Sequence, residues 1–188
     1  MADDAGPSLK GRVSAEEWQA RVDCAALYRL VALHGWDDMI FTHISMRVPG
    51  PEHHFLINPY GMFFEEITAS SLVKVDLDGN IVSPTQYYIN PAGFTIHSAI
   101  HAARERLVKD IGDQKLMLLR NHGTLAVGST AAEAFVGIFF LERACAQQVN
   151  ALSAGRENVL IAPVEAQEET RNGPAKGMGM VSGLAWPG

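Results

Sequence analysis

Among the 188 residues are seven histidines, and imidazole serves both as a general base near neutral pH and as a common metal ligand. His97 and His101 are four residues apart, so a helix would carry both on one face, as zinc-binding helices do. Their motif is His-Ser-Ala-Ile-His, however, with Ser98 where such helices place the glutamate that activates water. Zinc takes three or four protein ligands, and no third stands near this pair in the sequence. The two are therefore read as packing or hydrogen-bonding histidines, with metal binding as the lesser alternative. His53 and His54 adjoin Pro49-Gly50-Pro51 and are expected in solvent, and His34 sits at a helix end, where a cation favours the dipole. His122 differs in context. Arg120-Asn121-His122-Gly123 lies between two buried-type strands, with a glycine that permits close approach of a ligand. A ligand-binding histidine and an ordinary turn histidine both remain open there.

Two further segments offer polar groups at strand ends. Phe41-Thr42-His43-Ile44-Ser45 and Asn58-Pro59-Tyr60-Gly61 present hydroxyls and backbone N–H groups, the materials of an anion pocket. Thr42, Ser45, Asn58 and Gly61 are the candidate binding residues, against the alternative of plain turns. Asp76 and Asp78 flank a turn and read as solvated carboxylates; Glu65 and Glu66 read as helix-start charges. No residue is assigned a catalytic role on this basis.

The elements that must position these groups follow from periodicity. Ser14 with Glu17 is a capping-box pattern, and the apolar positions from Trp18 to Ala32 recur at helical spacing up to Gly35. Alternation predicts a strand from Met39 to Val48 and a short one from His54 to Ile57. Val73 and Val75, Asp78-Gly79-Asn80, then Ile81 and Val82 predict a hairpin. Asn90-Pro91 predicts a helix start, with Ile96, Ile100, Ala103, Leu107 and Ile111 on one face. Leu116–Leu119 and Leu125–Val127 read as strands, and Thr130 with Glu133 opens a long helix to Gly155 whose Phe135, Ile138 and Phe139 are core. Past Pro163 no period is visible. The expected organisation is an N-terminal arm over 1–13, one domain over 14–162 and a flexible tail over 163–188.

Composition narrows the functional classes. With 15 Lys+Arg against 21 Asp+Glu the formal charge is −6, so no basic stripe exists to neutralise a phosphate backbone, and nucleic acid is not an expected partner. Apolar residues make up 47% and charged residues 19%, a balance for a globular fold rather than a disordered chain. No apolar run approaches a bilayer span and no signal-peptide pattern opens the chain, so neither a membrane nor export is expected. Cys24 and Cys145 lie in apolar helical patterns and cannot form a disulfide framework, which suits a cytoplasmic setting.

Taken together, several phrases resemble the class II aldolase/adducin domain family, in its adducin-like branch. They are Phe55-Leu56-Ile57-Asn58-Pro59-Tyr60-Gly61, the run from Phe64 to Gly79, Gly93-Phe94-Thr95-Ile96-His97-Ser98-Ala99-Ile100-His101, and Leu119-Arg120-Asn121-His122-Gly123, in that order. The resemblance implies an α/β fold, a three-layer α/β/α domain around a mixed, largely antiparallel sheet, assembled as a ring-like homo-oligomer. It also implies a zinc ion and a small phosphorylated or carbonyl substrate, since family enzymes cleave or epimerise sugar phosphates. By the same resemblance, His122 matches one metal-binding histidine, and Gly93 stands where the family's acid/base glutamate is expected. The family's His-x-His metal pair has no counterpart. Arg104 runs straight into Glu105-Arg106-Leu107-Val108, which resembles a later helix, so an internal segment with a central strand is expected to be missing between about Ala103 and Glu105. The expected function is that of an aldolase-like chain inactive as written, or else a non-catalytic adducin-like oligomerisation or interaction domain.

Overall fold

The computed structural model describes residues 7–101, 111–120, 123–172 and 178–186. The chain forms two compact units, Met1–Gly112 and Asp113–Gly188.

In the first unit, helix α1 spans Ala15–Leu33, and the Ser14 side chain accepts from the Glu17 N–H at its start. The expected capping box is only half made. The Glu17 carboxylate turns inward instead, receiving Arg21 Nε at 2.9 Å and Lys74 Nζ at 2.8 Å. Arg21 is fully buried and spends Nη1 on the carbonyls of Ala69 and Leu72, at 3.2 and 2.8 Å. A buried guanidinium needs such partners, and α1 is thereby tied to the loop that leads into Val73.

That sheet has three antiparallel strands in the order β1 (Ser45–Arg47), β2 (Phe55–Ile57) and β3 (Val73–Val75). Ser45 lies opposite Ile57, and Ile57 opposite Val73. Side chains alternate across a strand, and β2 is buried on both faces. Leu56 packs with Ala20, Cys24 and Tyr28 of α1 and with Phe64 and Ile67. Phe55, Ile57, Val73 and Val75 face the other way, toward Phe94 of helix α2 (Pro91–His101). The unit is thus layered α1, sheet, α2. Asn90 caps α2, its Oδ1 accepting from the Ala92 N–H at 3.0 Å. The expected continuation of this helix to Ile111, with the Ala103–Glu105 junction, falls on residues 102–110, outside the described residues.

Two strands are shorter than their alternation predicts. Of Met39–Val48 only Ser45–Arg47 joins the ladder; Met39 has φ +53°, and the N–H and C=O of Ile44 are both engaged by the Tyr28 hydroxyl instead of a strand. The hairpin after β3 closes with a single bridge, Val75 to Ile81, flanked by two backbone bonds, Asp76 N–H to Asn80 O at 3.1 Å and Val82 N–H to Lys74 O at 3.0 Å. Asp76 builds that turn by accepting from the N–H groups of Asp78 and Asn80, and Gly79 supplies φ +90°.

The second unit pairs β4 (Leu116–Leu119) antiparallel with β5 (Gly123–Ala126). Helix α3 (Ala131–Ser153) follows, capped by Thr130. Gly137 lets the helix approach the ladder: a Cβ there would stand 3.0 Å from Leu116 Cδ2. The stretch expected to run without regular structure holds two short helices, α4 (Val164–Asn172) and α5 (Met178–Ala185). The order of α5 comes from packing that periodicity does not reveal: Trp186 meets Phe135 at 6.2 Å between ring centres, and Ser182 is buried. Every strand pairing among the described residues is antiparallel, and with helices on both faces of the three-stranded sheet the class is α/β. No helix among the described residues is long and apolar enough to cross a membrane.

Candidate functional site

The polar side chains that sequence reasoning singled out converge in the first unit, where α2 lies along β1. Ser45 opens β1, and its Oγ lies 2.6 Å from His97 Nδ1 and 2.8 Å from His101 Nε2. The i, i+4 spacing of the two histidines places both rings on the sheet side of α2, as expected. A serine hydroxyl carries one proton, so one imidazole accepts it while the other donates its own N–H to Oγ. Phe55 stacks on His101 with ring centres 4.5 Å apart, which fixes that ring against β2.

His43 completes the cluster, its ring edge-on to His97 at 6.0 Å between centres. It also occupies a particular place. A Cβ built on Gly93 would meet His43 Cδ2 at 2.5 Å and Nε2 at 2.6 Å, so the imidazole fills the space a side chain at 93 would need. His43 Nδ1 is buried without a hydrogen-bond partner among the described residues.

The Tyr28 hydroxyl positions both strand-end segments. It accepts from the N–H groups of Ile44, at 2.9 Å, and Asn58, at 3.1 Å, and its own proton faces Ile44 O and Asn58 Oδ1. A buried phenol with these partners ties the approach to β1 and the exit of β2 to α1.

The electrostatics follow from burial. It pulls His97 down to about 3, with His43 and His101 adding to the effect, and His101 down to about 4, with the Arg47 guanidinium adding. His43 is also held below the usual histidine value by burial, against an opposing pull from the Asn58 side chain. All three rings are neutral at pH 7. The cluster can share protons and hydrogen bonds, but it lends no positive charge to an anion.

Of the four candidate anion-binding residues, Ser45 and Asn58 are brought together through the Tyr28 hydroxyl and the register of β1 on β2. Thr42 spends its Oγ1 on the Asp38 N–H at 3.2 Å. Gly61 sits at φ +94°, beside Tyr60, whose N–H bonds Tyr88 O at 2.8 Å. His122, matched to a metal ligand by resemblance, lies outside the described residues with Asn121.

The described residues do not fit a zinc ion. No three His, Cys, Asp or Glu side chains among them are arranged to hold a metal ion, the inward nitrogens of His97 and His101 are engaged by Ser45, and Gly93 brings no carboxylate. Two features escaped sequence reasoning. Tyr28 reads as one more apolar position of α1, and its hydroxyl role has no local signature. His43 had a weak signal, since it alternates with Ser45 and so shares its side.

Comparison with known proteins places these features in context. The family model described as Class II Aldolase and Adducin N-terminal domain matches residues 22–107 and 103–149. A Caulobacter vibrioides protein whose name assigns it provisionally to class 2 aldolases is 59% identical over 243 aligned positions, covering 100% of this chain and 95% of that protein. Alpha-adducin of Rattus norvegicus is 35% identical over 88% of this chain and 31% of its own length. The crystal structure of an aldolase II superfamily protein from Pseudomonas syringae superposes with a TM-score of 0.82 at 40% identity, covering 93% of each chain. The L-fuculose 1-phosphate aldolase of Glaciozyma antarctica PI12 superposes at 0.78 with 24% identity over 96% of this chain and 92% of that one, a likeness of fold.

Proposed function

Since the chain belongs to the class II aldolase and adducin N-terminal domain family, we propose that it is a non-catalytic member that acts by association, as an adducin-like domain binding copies of itself or another protein. One observation carries this reading: the His43 imidazole stands in the space that a carboxylate side chain at position 93 would require. An aldol cleavage through an enediolate needs a base for the proton of the hydroxyl beside the breaking C–C bond, an acid to return a proton to the enediolate carbon, and an electrophile on the carbonyl oxygen. Gly93 supplies no base. His97 and His101, on the same helix, are committed to Ser45 and are too weakly basic at neutral pH to replace it.

A second observation favours a related reading, that the chain is an internally shortened copy of a longer relative. The two stretches matched to the family model meet at 103–107. The alignment to the Caulobacter protein runs over 243 positions although the chain has 188 residues, leaving at least 243 − 188 = 55 positions without a residue here. The overlap supports a junction at Ala103–Glu105 and the length difference supports a missing segment, and a segment lost there would take the His-x-His pair with it.

The test is a cleavage assay of the purified chain on aldose and ketose sugar phosphates, with zinc, manganese or cobalt added and aldehyde release followed. The expected result is no metal-dependent release above the protein-free blank. Release that rises with metal and is lost in His122→Ala would overturn the reading.

A further inference from the structure

The contact of α2 with β1 gathers three imidazoles, groups that gain positive charge in acid. The Ser45 hydroxyl lies between His97 Nδ1 and His101 Nε2, the His43 ring fills the cavity at Gly93 on the same helix, and Phe55 stacks on His101. From β1 the Arg47 guanidinium faces His101, and Arg47 itself bonds His53 at 2.8 Å. Asn58 faces His43 from the end of β2. On the other strand packed beneath α2 the neighbours are Val73 and Val75, with Leu77, Tyr87 and Ile89 beyond. No carboxylate is among the groups that shift these three histidines.

We propose that the Ser45–His97–His101 bridge, with His43 behind it, is a proton-sensitive clamp that holds α2 on the sheet when its imidazoles are neutral and releases it when they are protonated. A hydroxyl oxygen can accept two N–H bonds, so protonation does not by itself break the bridge. What it does is point two imidazolium cations at one oxygen, beside a third imidazole and a guanidinium, in a site with little water to screen them. Opening α2 hydrates these charges. The neutral bridge and the open helix therefore differ in proton uptake, which is the condition for a pH-driven population shift.

The sign is fixed by the direction of the shifts. A histidine of the open helix has the ordinary value near 6.5, whereas in the closed site His97 and His101 lie at about 3 and about 4. The clamp is fully in force above about pH 6.5, and it weakens as pH falls from there toward 4, where the open form binds protons that the closed form does not. This inference does not depend on whether the chain turns over any substrate.

Hydrogen exchange on the full chain, read as protection factors for α2 amides against those of α1 between pH 7 and 4.5, tests it. Each imidazole contributes up to roughly a hundredfold across that range by proton linkage. Protection of α2 is expected to fall by roughly tenfold or more while α1 stays within about threefold. The double substitution His97→Gln, His101→Gln keeps hydrogen-bonding groups without the titration, and should flatten the α2 profile. Parallel loss in α1 and α2 would overturn the proposal, as would a wild-type profile in the double variant. Should that variant fail to fold, the wild-type comparison of the two helices decides alone.

Discussion

At the scale of single residues, Gly93 and His43 form a complementary pair: one gives up its side chain and the other fills the space. Forcing a side chain back should therefore be costly. Gly93→Glu is expected to lower stability by roughly 1–3 kcal/mol, the usual cost of overpacking, despite the better helix propensity of glutamate. His43→Ala in the same chain should recover much of that loss, so the two substitutions should be non-additive in a urea-denaturation double-mutant cycle. Additivity would show that the imidazole yields freely. Gly93 was visible in the sequence as a departure from the family phrase, but the ring that fills its space comes from a residue fifty positions earlier. No local pattern links the two, because their contact depends on α2 crossing the end of β1. Tyr28 belongs to the same class. Its apolar neighbours show which face of α1 is buried, and they carry no sign that its hydroxyl would be the shared partner of Ile44 and Asn58.

At the scale of elements, α1 is held by its cap, by its apolar face and by one buried charged group of three. Glu17 sits between Arg21 and Lys74, with Arg21 fully buried. Burial alone would raise the Glu17 pKa, but hydrogen bonds and charge from Lys74 and Arg21 outweigh it and the net shift is downward. A depressed carboxylate stabilises the fold above its unfolded value, near 4.3, and that contribution is lost as pH falls below it. Glu17→Gln should cost roughly 3–5 kcal/mol at pH 7 because it leaves a buried guanidinium uncompensated. In chemical denaturation the variant and wild type should converge as the solution is taken below about pH 4, and a constant gap would show that charge is not the cause. The helices were legible where capping residues and a 3.6-residue period coincide, as at Ser14, Asn90 and Thr130. The strands were legible in place but not in length. Alternation identifies which residues suit a sheet, whereas the ladder ends where another group captures the backbone, as the Tyr28 hydroxyl does at Ile44.

For the whole molecule, the proposed role by association has a direct reading. The 20.4 kDa chain is expected to sediment as a defined multiple of that mass at micromolar concentration, and a monomer at all concentrations would remove self-association from the proposal. That expectation comes from the family, whose members the resemblance describes as ring-like homo-oligomers.

What the sequence determined by itself was the family, the α/β class and the residues worth watching. These rest on phrases, caps and periods, which are properties of neighbours along the chain. Tertiary structure decided what those residues do. His97 and His101 read as packing or hydrogen-bonding groups, with metal binding the lesser alternative, until β1 set the Ser45 hydroxyl between them, and Gly93 was only a missing carboxylate until His43 occupied its place. The physical reason is the same in both cases. A polar side chain takes its protonation state and its chemistry from the groups that surround it after burial, and those groups arrive from distant parts of the chain.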